Sequence, residues 1–88
     1  MYWIVYQTTN LINNKIYIGV HKTKDPNVFD YYLGNGIYIN APHTYEKSKT
    51  KFAHAVKKYG IKNFKRTTLQ IFNNEEDAYH LEAKIVNE

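Results

Sequence analysis

Residues 2–20 read Tyr2-Trp-Ile-Val-Tyr-Gln-Thr-Thr-Asn-Leu-Ile-Asn-Asn-Lys-Ile-Tyr-Ile-Gly-Val20. Two runs rich in aromatic and β-branched side chains, Tyr2–Thr8 and Lys15–Val20, flank a loop over residues 9–14 that carries three asparagines. Such runs favour extended backbone, and asparagine tolerates the positive φ that a tight reversal requires. The spacing predicts an antiparallel hairpin. Alternation sets Ile4, Tyr6 and Thr8 on one face of the first strand, and Lys15, Tyr17 and Gly19 together on one face of the second. A loop over 9–14 pairs Thr8 with Lys15 and therefore Tyr6 with Tyr17. Two phenols would then stand side by side, with Gly19 leaving room beside them.

Downstream, residues 21–50 hold Pro26, Pro42, Gly34, Gly36 and a Tyr-Tyr-Leu-Gly-Asn-Gly run, without sustained helical periodicity. An irregular stretch of this length in a small domain is more often functional than connective. Phe52, Ala55, Val56 and Tyr59 then recur at helical spacing, which predicts a helix over 51–59 that Gly60 ends. Lys65–Phe72 alternates as a third strand. Asn73-Asn-Glu-Glu-Asp77 supplies a cap with acids in the first turn of a second helix that runs to the C-terminus. The expected class is α+β: a small antiparallel three-stranded sheet flanked by helices.

The chain has 88 residues, room for one core and one domain. At 43% hydrophobic and 23% charged it is globular in composition, and without cysteine it has neither disulfides nor Cys-ligated zinc. No apolar run reaches membrane-spanning length and the start lacks signal-peptide features, so an intracellular location without membrane contact is expected. Charge is unevenly spread. Residues 43–66 carry seven lysines and Arg66 against one glutamate, while the segment after them is acidic. Such a block is the footprint of a polyanion binder or of a solvated lysine-rich helix.

The last helix contains one residue out of pattern. Ala78, Leu81 and Ile85 define an apolar stripe, and Glu82 falls inside it. A carboxylate facing a core needs a partner. Either Glu82 leaves the stripe at its edge or pairs with a lysine, or it points back at the sheet carrying Tyr6 and Tyr17. In the second case one inward carboxylate suffices for Mg²⁺, which takes its remaining ligands from water and phosphate.

Ile4-Val5-Tyr6, separated by ten residues from Tyr17-Ile18-Gly19, resembles the paired motif of the GIY-YIG nuclease superfamily, with Ile in place of the first Gly. Tyr17-Ile-Gly-Val-His-Lys-Thr23, Tyr32-Leu-Gly-Asn-Gly36, Ala55-Val-Lys-Lys-Tyr-Gly60, Asn63-Phe64 and Ala78-Tyr-His-Leu-Glu-Ala-Lys-Ile-Val86 extend the resemblance along essentially the whole chain. They are similar to the subgroup of free-standing homing endonucleases of phages and large viruses. The resemblance implies a domain that hydrolyses double-stranded DNA with one divalent metal, Mg²⁺ or Mn²⁺, and no other cofactor. It implies Tyr6 as general base or water-positioning phenol, Tyr17 as its support, and Glu82 as metal ligand. The expected catalytic part of a homing-type endonuclease has, as its competing reading, a nucleic-acid-binding module of the same fold without cleavage.

The chain departs from the family pattern twice. The arginine that many members carry on the helix after the second motif is missing, and Arg66 in the third strand is the single arginine. His21 and Lys22, directly after Tyr-Ile-Gly, and His43 in the long loop are the candidate replacement cations, each otherwise a surface residue. His21 shares Tyr17's face by alternation, whereas Lys22 points the other way unless the chain turns there. The sequence also stops at Glu88, before the terminal Asn usual in the family, so a trimmed domain is expected. Phosphate contacts are expected from Lys47, Lys49, Lys51, Lys57, Lys58, Lys65 and Arg66. A monomer is expected.

Overall fold

The computed structural model describes residues 1–86. Strands β1 (Tyr2–Asn10) and β2 (Ile16–Thr23) form the hairpin, and β5 (Phe64–Phe72) adds to the other side of β1. The antiparallel order is therefore β2-β1-β5, with the first strand in the centre. Between β2 and β5 come a two-stranded unit, β3 (Tyr32–Gly34) with β4 (Ile37–Tyr38), one helical turn α1 (His43–Glu46), helix α2 (Lys51–Tyr59), and a 3₁₀ turn at Ile61–Asn63. Helix α3 (Glu75–Val86) closes the described chain and packs against β1, β2 and β5. The expected α+β sheet with flanking helices is present. The final positions of the expected last helix, Asn87 and Glu88, lie outside the described residues. Among the described residues no helix is long and apolar enough to cross a membrane.

The hairpin register differs from the expected one. Tyr6 stands opposite Gly19 and Thr8 opposite Tyr17, so the two phenols are diagonal neighbours on one face rather than a direct pair. The reason lies in the turn. Asn10 stays in the ladder, its N–H donating to the Lys15 carbonyl at 2.9 Å, while its side-chain oxygen accepts from Ile12 N at 2.9 Å. Asn14 takes φ 63° and donates back to the Asn10 carbonyl. These bonds move the loop to residues 11–15, adding Thr9 and Asn10 to the first strand and starting the second at Ile16.

The irregular stretch is more ordered than its composition suggests. The second strand continues to Thr23, and Gly34 and Gly36 together with Asn35 form a turn of positive φ between β3 and β4. Thr8 in β1 donates its hydroxyl to the Leu33 carbonyl, tying this unit to the sheet. Leu33, Ile37, Phe52, Ala53, Val56 and Phe64 make one buried cluster, so α2 and the β3–β4 unit share a core. Thr50 caps α2 by accepting from Ala53 N, and Gly60 ends it at φ 91°. Asn74 accepts from Asp77 N at 2.9 Å at the start of α3.

Candidate active site

Tyr6 sits in the central strand and is 5% exposed. Two glycines make its place. A Cβ on Gly19 would collide with the Tyr6 hydroxyl and ring, and one on Gly34 would come within 2.9 Å of the hydroxyl. Burial raises the Tyr6 pKa above its ordinary 10.0, and Tyr32 and the Glu82 charge push the same way, while the Arg66 charge opposes them. The phenol therefore keeps its proton at neutral pH.

Tyr32 is the hub beside it. Its ring meets Tyr6 edge-on at 5.8 Å and Tyr38 at 5.1 Å, and it stacks on the His21 imidazole at 3.9 Å with the planes 9° apart. Its hydroxyl accepts from Gly36 N at 3.1 Å. His21 Nε2 lies 2.5 Å from Asp30 Oδ2. The other Asp30 oxygen accepts from Arg66 at 3.0 Å and from Tyr32 N at 3.2 Å. Arg66 donates also to the Tyr32 carbonyl at 3.0 Å and lies over the Phe29 ring. Burial alone would raise the Asp30 carboxyl, but its bonds to His21, Tyr32 N and Arg66 outweigh that and hold it below the usual carboxylate value. Burial and the Asp30 charge push the Tyr38 phenol up.

Tyr17 projects from the Tyr6 face of the neighbouring strand and packs edge-on against Phe52, ring centres 4.5 Å apart. Both tyrosines line a cavity of about 430 Å³ together with Ile16, Ile18, Phe52 and, from α3, Ile85. Glu82, one turn before Ile85, is half-buried and near enough for its charge to act on Tyr6. Neither ion pair found among the described residues engages it, since both belong to Asp30. No three His, Asp or Glu side chains gather into a cage among the described residues. This donor set fits a hard divalent cation held by one carboxylate and otherwise by water. It does not fit an all-protein metal centre.

The fold thus brings together Tyr6, Tyr17, His21, Arg66 and Glu82. Lys22 stays outside, because β2 continues without a turn and sets its ammonium over Trp3 on the far face, 5.6 Å from the ring centre. His43 is exposed at the start of α1. Lys47, Lys49, Lys51, Lys57, Lys58 and Lys65 are exposed, and Lys57 also donates to the Ser48 carbonyl at 3.0 Å. Arg66 differs from them: its side chain is 5% exposed and committed to Asp30 and the Tyr32 carbonyl. Sequence reasoning missed Asp30, Tyr32 and Tyr38 as parts of this cluster. A signal existed for Asp30. A lone arginine on the inward-facing side of an alternating strand requires a buried acid, and residues 1–42 offer only Asp25 and Asp30.

Comparison with known proteins gives relatives from one source, Enterobacteria phage T4. The chain is 43% identical over 88 residues to "Putative endonuclease segD", matching 100% of this chain and 33% of the relative. It is 46% identical over 86 residues to "Putative endonuclease segE", covering 98% of this chain and 35% of that protein. To "Endonuclease segA" it is 39% identical over 85 residues, 97% of this chain and 32% of the relative. No family model matches, and no solved structure does. The chain is therefore similar along its length to one part of these phage proteins, spanning about a third of each.

Proposed function

We propose that the chain is the nuclease domain of a homing-type endonuclease of the GIY-YIG superfamily, hydrolysing phosphodiester bonds of double-stranded DNA with one divalent metal, Mg²⁺ or Mn²⁺. The observation that carries this reading is convergence on one phenol. Tyr17 from β2 lines one cavity with Tyr6 of the central strand and the Glu82 charge from α3 acts on it, while His21 from β2 and Arg66 from β5 approach it through Tyr32. The names of the phage relatives support the same class of reaction.

Glu82 is the residue that would hold the metal. When bound, the metal supplies positive charge against the negative charge that develops on the phosphate oxygens. The Tyr6 hydroxyl, kept protonated by burial, orients the attacking water by hydrogen bonding, and Tyr17 supports it. His21 brings a cationic donor to the same face, the part that a helix arginine plays elsewhere in the superfamily. The exposed lysines of residues 47–65 hold the phosphate backbone with little reading of bases. The test is cleavage of supercoiled plasmid with Mg²⁺ or Mn²⁺ against a chelator control. Metal-dependent nicking that Glu82→Ala abolishes, with DNA binding retained, supports the reading. Binding without cleavage under either metal replaces it with a nucleic-acid-binding module of the same fold.

A further inference from the structure

We propose that Asp30, anchored by Arg66, is a positioning residue that fixes the His21 imidazole with Nδ1 free for the scissile phosphate, and that His21 gives its proton to the leaving oxygen. This deepens the nuclease reading above and rests on it.

A carboxylate only accepts hydrogen bonds, so the His21 nitrogen facing Asp30, Nε2, carries a proton. Both Asp30 oxygens are engaged, one by His21 and the other by Arg66 and Tyr32 N. The carboxylate therefore cannot swing away from the imidazole without breaking bonds at its far end. Stacking on Tyr32 fixes the ring plane as well. Among the described residues the His21 side chain bonds only through Nε2, and Asn10 Nδ2 is the one buried side-chain polar atom without a partner, so His21 Nδ1 is unengaged and open to solvent. His21 is 12% exposed, sheltered yet reachable. Charge favours an anionic visitor: with His21 protonated, two cations share one carboxylate. The groups facing His21 are Asp30, Tyr32 and Tyr38, with Arg66 beyond Asp30 and Tyr6 beyond Tyr32.

The step balances. A bond forms between the water oxygen and phosphorus, and the bond from phosphorus to the leaving oxygen breaks. That oxygen keeps the electron pair and takes the Nδ1 proton. The surplus proton of the water passes to solvent. The neutral imidazole still donates Nε2–H to Asp30 and recovers its Nδ1 proton from solvent.

The competing explanation is that Arg66–Asp30–His21 is only a staple joining β2, the following loop and β5. A double-mutant comparison and a spectrum separate the two. In the intact chain, ¹⁵N imidazole spectra should show Nε2 protonated and hydrogen-bonded, and Asp30→Asn should abolish that signature. Cleavage of plasmid by His21→Ala should fall about 100-fold, and Asp30→Asn should fall about 10- to 100-fold with KM for DNA within about threefold. Asp30→Asn added to His21→Ala should cost less than about threefold more, because both changes remove one device. Equal costs of Asp30→Asn in the presence and absence of His21 would overturn the proposal, as would Nδ1 rather than Nε2 facing Asp30. If Asp30→Asn does not fold, Arg66→Lys takes its place in the same comparison, and wild-type cleavage by His21→Ala alone overturns the proposal. Absence of metal-dependent cleavage by the unmodified chain sinks the nuclease reading and the proton transfer with it, while the spectrum still reports whether Asp30 orients His21.

Discussion

The molecule uses positive charge in two opposite ways. Around Tyr6, Arg66 is sheltered, bonded to Asp30 beside the His21 imidazole and fixed in direction. Along α2 and the segment before it, Lys47, Lys49, Lys51 and Lys58 are exposed on flexible stems in water. Charges fixed in a sheltered place act strongly at short range and are already aimed when a transition state forms. Exposed charges act weakly at any one point, yet sum into a field that gathers a polyanion and is screened by salt. Lys57 stands between the two modes, exposed but tied to carbonyls at the end of α1. The comparison predicts that changes in the first region alter chemistry and changes in the second alter affinity.

The largest expected effect probes the first region. Glu82→Ala should reduce plasmid cleavage about 1,000-fold or more, since loss of a metal's charge stabilisation is worth several kcal/mol. DNA affinity in a mobility-shift assay should stay within about threefold. A parallel loss of binding would mean that the two regions are not separable.

Next comes the cradle of Tyr6. Gly19→Ala inserts a methyl where the phenol lies and should cost about 1–3 kcal/mol, the usual penalty of overpacking. In a domain of this size that lowers Tm by roughly 4–20 °C, and calorimetry reads it directly. A variant as stable as the parent would show that the phenol can move aside.

The second region gives a smaller effect. The Lys57→Glu, Lys58→Glu double variant should weaken duplex binding about tenfold near 100 mM salt and flatten the plot of log affinity against log salt by about two units. Cleavage at saturating DNA should hold within about threefold. If kcat falls instead, these lysines belong to the chemistry and the division fails.

The smallest effect is in acid. The Asp30 pKa is depressed by folding, so its contribution to stability is complete above the unfolded carboxylate range of about 4 and is lost as pH falls through the folded value. Tyr6 has the opposite sign: its pKa is raised, so its contribution is whole below about 10 and fades above that. Tm measured across both ranges should fall at each end. Asp30→Asn should blunt the acid limb and leave the alkaline limb unchanged.

What the sequence discloses follows from the range of the interaction that fixes each feature. The hairpin, α2 and the start of α3 rest on alternation, helical spacing and caps within a few residues, and all were legible. The face shared by Tyr6, Tyr17 and His21 was legible for the same reason. The register was not, because it depends on which asparagine of the turn stays in the ladder. Asp30 and Arg66 are 36 residues apart, and their meeting depends on how the β3–β4 unit docks on the sheet. Arg66 was read as one more phosphate contact because composition counts charges without showing which are enclosed. Tyr32 was visible only as part of a motif, since nothing local reveals that three aromatic rings converge on it.

One irregularity in β5 bears on which length changes the gene could tolerate. Between Tyr6 and Val5 the pairing with β5 skips a residue, from Thr68 to Gln70, leaving Leu69 as an extra. Side chains of a strand alternate, so a bulge exchanges the two faces for everything beyond it. Arg66 and Thr68 face the way Thr8 and Tyr6 do, and past the bulge it is Ile71, opposite Ile4, that does so. Loss of the single codon for Leu69 would therefore restore a regular strand and keep both faces, with Thr68 still opposite Tyr6 and Gln70 opposite Val5. An added residue between Arg66 and Leu69 would instead need a second bulge, or it would turn Arg66 away from Asp30. In this strand the count of residues, beyond their identity, is itself inherited information.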